Sequence, residues 1–518
     1  MLGFKHLALR ESFNLRLTLT ALLIAVSQFN FGFDQQGFAS TQSMNAFDKQ
    51  FGRYNAKKHT YELPTVWLSY FNGFNYITFG FGIILGSWVS KHFGRRMCMF
   101  TMSLWALVSA TVVITSTTPD QMLAGRILNY VYIGMELAVV PVYQSEIAPA
   151  RARGFLVGTY QLSLTIGGLV VNSVARGTGS MKSNSAWRIP FGLFYIIPAI
   201  VASLIWFVPE SPRWLAMKDR PEAALESLRK LREGKFTEDE IKAEFQVIIA
   251  GLQLQHEKGT FFDMWKGVNL KRSLVVITAN FFLQSTGQIF ASIYGALFVK
   301  SLGTVNQFTI TVITACINTV VCLISMALVD KVGRRVLLLV GGTVQCAALL
   351  TMGGLGTVKG PSRGIKSGII AMQVVYITGY FVGWASIVHT LSAELPSVKL
   401  RDMTYRTAST VNVATQFAVS FSLPYLLNAP YANLGSKVGF IFGSMAFLSL
   451  VFAYWCVPEV KGRSLEEVDR LFELGIPLRQ FGTAHVDLET SVALGKLDQN
   501  KSGVAVHVEH DKGQTTAA

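Results

Sequence analysis

Apolar residues in this chain gather into twelve windows of about twenty, the length a helix needs to cross a hydrocarbon layer about 30 Å thick. The windows run over 16–36, 66–89, 97–116, 122–144, 155–175 and 188–208, then over 273–298, 306–328, 334–354, 368–391, 407–428 and 436–456. Short polar loops separate them, and the pattern predicts an all-α membrane protein of twelve transmembrane helices in two six-helix bundles. The first window follows Lys5, Arg10 and Arg16 but contains Asp34 and lacks a small-residue cleavage site, so it reads as a retained span and not a signal peptide.

Charge sets the orientation. Lys91, Arg95 and Arg96 follow the second window, Arg151 and Arg153 the fourth, Lys331, Arg334 and Arg335 the eighth, and Lys399 and Arg401 the tenth. Positive charge concentrates in cytoplasmic loops, so these loops and both termini are expected on that side. The first external loop, 37–65, dissents with Lys49, Arg53, Lys57 and Lys58, although its length and their distance from the span ends weaken the objection. The chain then divides into a cytoplasmic N-terminus (1–14), a first bundle (15–208), a cytoplasmic linker (209–271), a second bundle (272–458) and a cytoplasmic tail (459–518). In the linker, PEAALESLRKLRE from Pro221 and EDEIKAEFQVIIAGLQLQ from Glu238 alternate in charge over a sparse apolar stripe and predict short amphipathic helices. The polar stretch after Gln480 predicts disorder.

Composition excludes other classes. Hydrophobic residues make up 51% of the 518 and charged residues 15%, against about 25% charged in soluble domains. The net charge of +15 raises nucleic acid as a partner, but the lysines and arginines lie between spans, where membrane orientation accounts for them. Cys98, Cys316, Cys322, Cys346 and Cys456 lie in apolar windows without metal spacing and read as small buried hydrophobes. No GxxxxGK[ST] run supports an ATP-driven pump, and no constellation calls for enzyme chemistry, a metal or a cofactor.

The two halves repeat. Gly94-Arg95-Arg96 returns as Gly333-Arg334-Arg335, Glu146 with Arg153 returns as Glu394 with Arg401, and Pro209-Glu210 returns as Pro458-Glu459, at offsets of 239, 248 and 249. Copied halves of this kind commonly rock about a central site and expose it to each side in turn. Asp34, Arg126 and Glu136 fall inside windows, where charge is expensive, and are expected to face the bundle or a water-filled path. Glu136 lies ten residues after Arg126, about 15 Å along a helix, too far for one local pair. It reads either as part of a proton path or as a capped, bundle-buried carboxyl.

The GRR repeats, PVYQSEIAPARARG from Pro141, VPESPRW from Val208 and VPEVKGRSLEEVD from Val457 resemble a sugar porter of the major facilitator superfamily, specifically a fungal proton-coupled one. The resemblance implies the major facilitator fold, a plasma-membrane monomer embedded in the lipid bilayer, and import of a small-molecule sugar with protons by alternating access. It implies Asp34 as proton acceptor paired with Arg126, since similar symporters carry an Asp in span one and an Arg in span four; a permanent structural ion pair is the other reading. Gating is implied for Arg95, Arg96, Glu146, Arg153 and Glu210, and for Arg334, Arg335, Glu394, Arg401 and Glu459, as charge networks that bias outward- and inward-facing states. Sugar recognition is implied for Gln161, Gln284, Asn412 and Gln416, whose carboxamides donate and accept, with Tyr294, Tyr376, Tyr380 and Trp384 as aromatic walls. Each of these also reads, alone, as helix–helix glue or core.

Several positions depart from the family pattern. Lys91 stands where an acidic or amide residue is usual, and Tyr130 and Tyr132 replace small glycines while Gly134 remains, which alters how closely span four approaches its neighbour. Span seven reads LQSTGQI for QQxxGxN, so Leu283 and Ile289 replace polar residues; Gly168 replaces a Gln, and Val413 and His389 each replace a Trp. Such a cavity suits something other than a hexose, and the spacing of Gln284, Gly287, Tyr294 and Phe298 is similar to fungal disaccharide and alpha-glucoside permeases. His389 either bonds substrate and adds a pH-sensitive group or packs as a satisfied residue. The alternatives are a porter of a polyol or quinate-like compound, an uncoupled facilitator, and a transport-inactive receptor, which a long structured tail would favour.

Overall fold

The computed structural model describes residues 13–56, 59–149, 153–254, 260–397, 399–463 and 465–484. The expectations for the N-terminal twelve residues, for Lys57, Lys58 and Arg151, for the side chain of Arg153 and for the tail beyond 484 lie outside the described residues.

Helix α1 (Leu15–Thr41) starts where Asn14 Oδ1 accepts from the Leu17 N–H at 2.7 Å. The first loop folds into α2 (Asn45–Phe51) and a two-stranded antiparallel hairpin, β1 (Arg53–Asn55) with β2 (Thr60–Glu62), a small departure from an all-helical chain. The expected second span is two helices, α3 (Thr65–Gly73) and α4 (Asn75–Phe93). Side-chain amides compete for backbone carbonyls at the join, Asn72 donating to Leu68 O and Asn75 to Phe71 O. Then come α5 (Arg95–Ile114), α6 (Pro119–Ile147) and α7 (Arg153–Thr178). The sixth window is split into α8 (Ser185–Leu193) and α9 (Ile196–Leu204), with Pro190 and Pro198 among its residues.

The linker holds three short helices, α10 (Pro212–Met217), α11 (Pro221–Arg232) and α12 (Glu238–Leu254). The seventh window breaks into α13 (Gly267–Ser285), α14 (Gln288–Ser292) and α15 (Gly295–Leu302). Its first break is Gly287, at a φ of +99°, a conformation that a residue with a Cβ rarely adopts. Helices α16 (Gln307–Val332), α17 (Arg334–Leu355), α18 (Arg363–Glu394), α19 (Arg401–Leu427), α20 (Val438–Cys456) and the short α21 (Leu465–Glu473) complete the fold.

Among the described residues, nine helices are long and apolar enough to cross a membrane. The segments over the second, fifth and eleventh windows are helical but not among them. They carry Asn72 and Asn75, Gln161 and Asn172, and Thr404, Asn412 and Gln416, polar side chains turned into the protein that dilute the hydropathy. Outward, Leu22, Phe81, Ile84, Val108, Ile324, Val340 and Phe447 stand exposed, an apolar exterior that suits lipid better than water.

Each half packs mainly on itself, α1 with α7 and α4 with α6 in the first, α17 with α18 and α13 with α19 in the second. The seams between halves run along α7 with α16 and α3 with α19. Close approach depends on missing side chains: a Cβ on Gly32 would lie 1.9 Å from Leu164 O, and one on Gly134 2.3 Å from Phe79 O. Span four therefore still touches its neighbour backbone to backbone at Gly134. Tyr130 packs edge-on against Tyr76, and Tyr132 accepts from Asn30.

Candidate functional site

Asp34 on α1 and Arg126 on α6 come together inside the first half, Nη1 donating to Oδ2 at 3.4 Å with the side chains 4% and 2% exposed. The guanidinium also lies over the Phe38 ring at 3.9 Å and the Tyr130 ring at 5.0 Å. Aromatic faces attract a desolvated cation. The larger residue at position 130 thus serves as part of the Arg126 cage.

A cavity lies between the halves, with walls from α1, α7, α14, α15, α16 and α18. Its polar lining is Gln35, Gln36, Gln161, Asn172, Gln288, Asn318 and Gln373, with serine and threonine hydroxyls, and it contains no charged side chain. The Asn318 Oδ1 and Gln373 Oε1 atoms are buried without a hydrogen-bond donor. A ligand with hydroxyl groups supplies what such acceptors lack.

Of the nine residues expected to bind substrate, the cavity includes Gln161. Gln284, Asn412 and Gln416 do meet, but on each other: Gln416 Nε2 and Gln284 Nε2 donate to Asn412 Oδ1 at 3.0 and 3.4 Å, and Asn412 reaches Asn280, which donates to Ser392. Tyr294 is fully buried and donates to Ser420 O at 2.9 Å. Tyr376, Tyr380 and Trp384 are buried along α18, and His389 is exposed on the same helix. Sequence reasoning missed Gln288, which follows the break at Gly287. Ile289 in the family's Asn position is 0% exposed and packed in the core, while the adjacent carboxamide faces the cavity.

The repeated motifs build two matching cradles at the end of the bundle next to the linker. Arg95 makes a bidentate pair with Glu146, Nε and Nη2 each at 2.8 Å, and Ser211 Oγ donates to the same carboxylate at 2.6 Å. Glu210 accepts from the backbone N–H groups of Arg95 and Arg96 at 3.0 and 3.1 Å, so its role in the geometry is to cap α5 and not to pair with a guanidinium. Burial pushes the Glu210 carboxyl up against the pull of these N–H groups. Arg96 donates to Trp206 O at 2.7 Å and lies over that ring. In the second half Arg334 donates to Glu394 at 2.9 Å, Glu459 accepts from Arg334 N and Arg335 N at 3.0 Å, and Arg335 donates to Tyr454 O at 2.6 Å. Arg401 opens α19 with a buried Nε that meets no acceptor.

The opposite end is where the halves join by polar contacts. Lys300 Nζ donates to Asp48 Oδ2 at 2.6 Å, Gln42 Nε2 to Ile293 O at 2.8 Å, Ser420 Oγ to Asn72 O at 2.8 Å and Arg176 Nε to Thr309 Oγ1 at 2.8 Å. The conformation is closed there.

No group of three or more His, Cys, Asp or Glu side chains converges as a metal site would among the described residues. The profile of the sugar (and other) transporter family matches residues 20–472. The chain is similar to the high glucose sensor RGT2 of Saccharomyces cerevisiae, 28% identical over 528 residues covering 96% of this chain and 68% of that protein. It is also similar to the general alpha-glucoside permease of the same yeast, 26% identical over 480 residues covering 90% and 77%. The inward-open xylose transporter XylE from E. coli superposes with a TM-score of 0.71 over 88% of this chain and 99% of that one, at 22% identity. With a family match along most of its length and a fold shared with that transporter, the chain belongs to the sugar (and other) transporter family and is a multi-pass membrane transporter, not an enzyme.

Proposed function

We propose that the protein is a plasma-membrane symporter that brings a neutral sugar into the cell with a proton. Twelve spans in two six-helix bundles, with both termini cytoplasmic, would place the arginine–glutamate cradles inside and the Asp48–Lys300 contact outside. The conformation then faces inward. The observation that carries the reading is the cavity between halves, lined by carboxamides and hydroxyls and free of charge, with two unsatisfied acceptors. Such a lining favours a mono-, di- or oligosaccharide or a polyol; a quinate-like acid would lack a cation for its carboxylate.

Asp34 supplies the coupling. Protonated, it loses its attraction to Arg126 and loosens α1 from α6; deprotonated, it restores the pair seen here. Each cradle ties helices of one half together, α5 to α6 and α17 to α18, so that the halves move as units about the cavity.

The test is counterflow into proteoliposomes preloaded with glucose, xylose, maltose and sorbitol, repeated under an imposed pH gradient with the wild type and Asp34→Asn. Selective exchange, with gradient-driven accumulation lost in the variant, is expected. Exchange indifferent to the gradient and to Asp34 would make the protein an uncoupled facilitator. Similarity to a glucose sensor favours a second reading, a receptor that binds sugar without moving it, and binding without exchange would select it.

A further inference from the structure

Glu136 is an ionisable group that neither the Asp34–Arg126 pair nor the cradles use. It is 0% exposed on α6, no cation pairs with it among the described residues, and the donor that faces it from α1 is the Ser27 hydroxyl. The groups around it are few. Ser27 and, farther along, Asp34 face it from α1, Tyr132 precedes it by one turn on its own helix, and Tyr160 faces it from α7. Helix α4 meets this stretch of α6 through Gly82 and Gly86, which bring backbone and no charge.

These groups form a seam. Ser27, Asn30 and Asp34 recur on α1 at spacings of three and four, which puts them on one face. Asn30 Nδ2 donates to Tyr132 Oη at 3.2 Å, and its buried Oδ1 meets no donor. A small cavity lined by Ser27, Asn30, Ser103, Tyr132 and apolar residues of α5 and α9 opens beside them. Along α1 and α6 the seam runs from Asp34 toward the linker end, and Glu136 marks its far station.

A carboxylate buried without a cation, faced by a neutral hydroxyl, is more stable with a proton than without one. Asp34 has its guanidinium; Glu136 has none. We propose that Glu136 is a second proton-binding residue, which in this conformation holds the proton that Asp34 has given up. The transfer balances: the O–H bond at Asp34 breaks, the Tyr132 hydroxyl and water in the seam each pass one proton on as they accept another, and an O–H bond forms on Glu136. The proposal rests on the proton-coupled reading of the Asp34–Arg126 pair.

Infrared difference spectroscopy of the purified full-length protein tests it without any substrate. A protonated-carboxyl C=O band is expected at neutral pH, absent in Glu136→Gln and retained in Asp34→Asn. Its hydrogen–deuterium exchange is expected to slow in Tyr132→Phe. A band unchanged by Glu136→Gln, no such band in the wild type, or exchange unaffected by Tyr132→Phe would overturn the proposal. In proteoliposomes with radiolabelled glucose and maltose, Glu136→Gln is expected to lower gradient-driven accumulation relative to exchange, and a ratio equal to that of the wild type would count equally against it. Accumulation that survives Asp34→Asn would instead remove the coupling reading, and the band would still decide whether Glu136 carries a proton.

Discussion

Replacing Asp34 by Asn tests how the first half holds a buried cation. The change leaves the Arg126 guanidinium 2% exposed with its countercharge gone, and breaking a buried pair by removing one partner costs about 3–5 kcal/mol. Two features should hold the cost near about 3 kcal/mol, the lower end of that range. The carbonyl of the substituted amide can still accept from Nη1, and the rings of Phe38 and Tyr130, at 3.9 and 5.0 Å, remain as a cage for the charge. Once the carboxylate is absent, the cage matters more. The double variant Asp34→Asn, Phe38→Leu should therefore be less stable than the two single changes predict by about 0.5–3 kcal/mol, the coupling usual for residues sharing a partner. Arg126→Met should be milder than Asp34→Asn, because an unpaired carboxyl can take up a proton and a guanidinium cannot give one away. Unfolding equilibria in mixed SDS micelles, followed by tryptophan fluorescence, measure all four. A wild-type midpoint for Asp34→Asn, or strict additivity in the double variant, would refute the caged-cation account.

Three further outcomes follow from the geometry. Gly32→Val should prevent α1 from seating on α7, since even a Cβ would lie 1.9 Å from a backbone oxygen, and size-exclusion profiles should show little monodisperse protein. Gln288→Ala and Gln161→Ala should each weaken binding of the transported sugar by about tenfold, the worth of roughly one hydrogen bond, whereas Gln284→Ala should lower stability and spare affinity; calorimetric titration and melting curves giving the reverse would reject the cavity assignment. Burial holds the Asp48 carboxyl above its usual range, with Lys300 pulling the other way. The closed outer end then binds that proton more tightly than an open, solvated one, so acid should favour closure and rising pH, through the raised value, should weaken it. Spin-label distances across that end report the shift, and Asp48→Asn should flatten it.

Much of the molecule was decided locally. Long apolar windows must become helices in a bilayer because no water is there to satisfy a bare backbone, and the returning GRR, Glu-to-Arg and Pro-Glu motifs mark two copied halves in the chain itself. Asp34 and Arg126 were each legible as charges turned into the bundle because intramembrane charge is expensive, and the resemblance to proton-coupled porters implied their pairing. What the sequence left open was which polar face of each helix turned toward which neighbour. Gln284, Asn412 and Gln416 have the chemistry of a sugar site, yet tertiary packing ties them to one another, and a left-handed glycine at 287 puts Gln288 on the cavity wall with Ile289 in the core. Glu210 and Glu459 read as partners for guanidinium groups, but the packing of the chain that leaves the sixth and twelfth spans brings them to the bare N–H groups that open α5 and α17. The closed outer end brings Asp48 to Lys300 across 252 residues of chain. Spacing along a helix specifies which side chains share a face; only the packing of helices that are remote in sequence determines what that face meets.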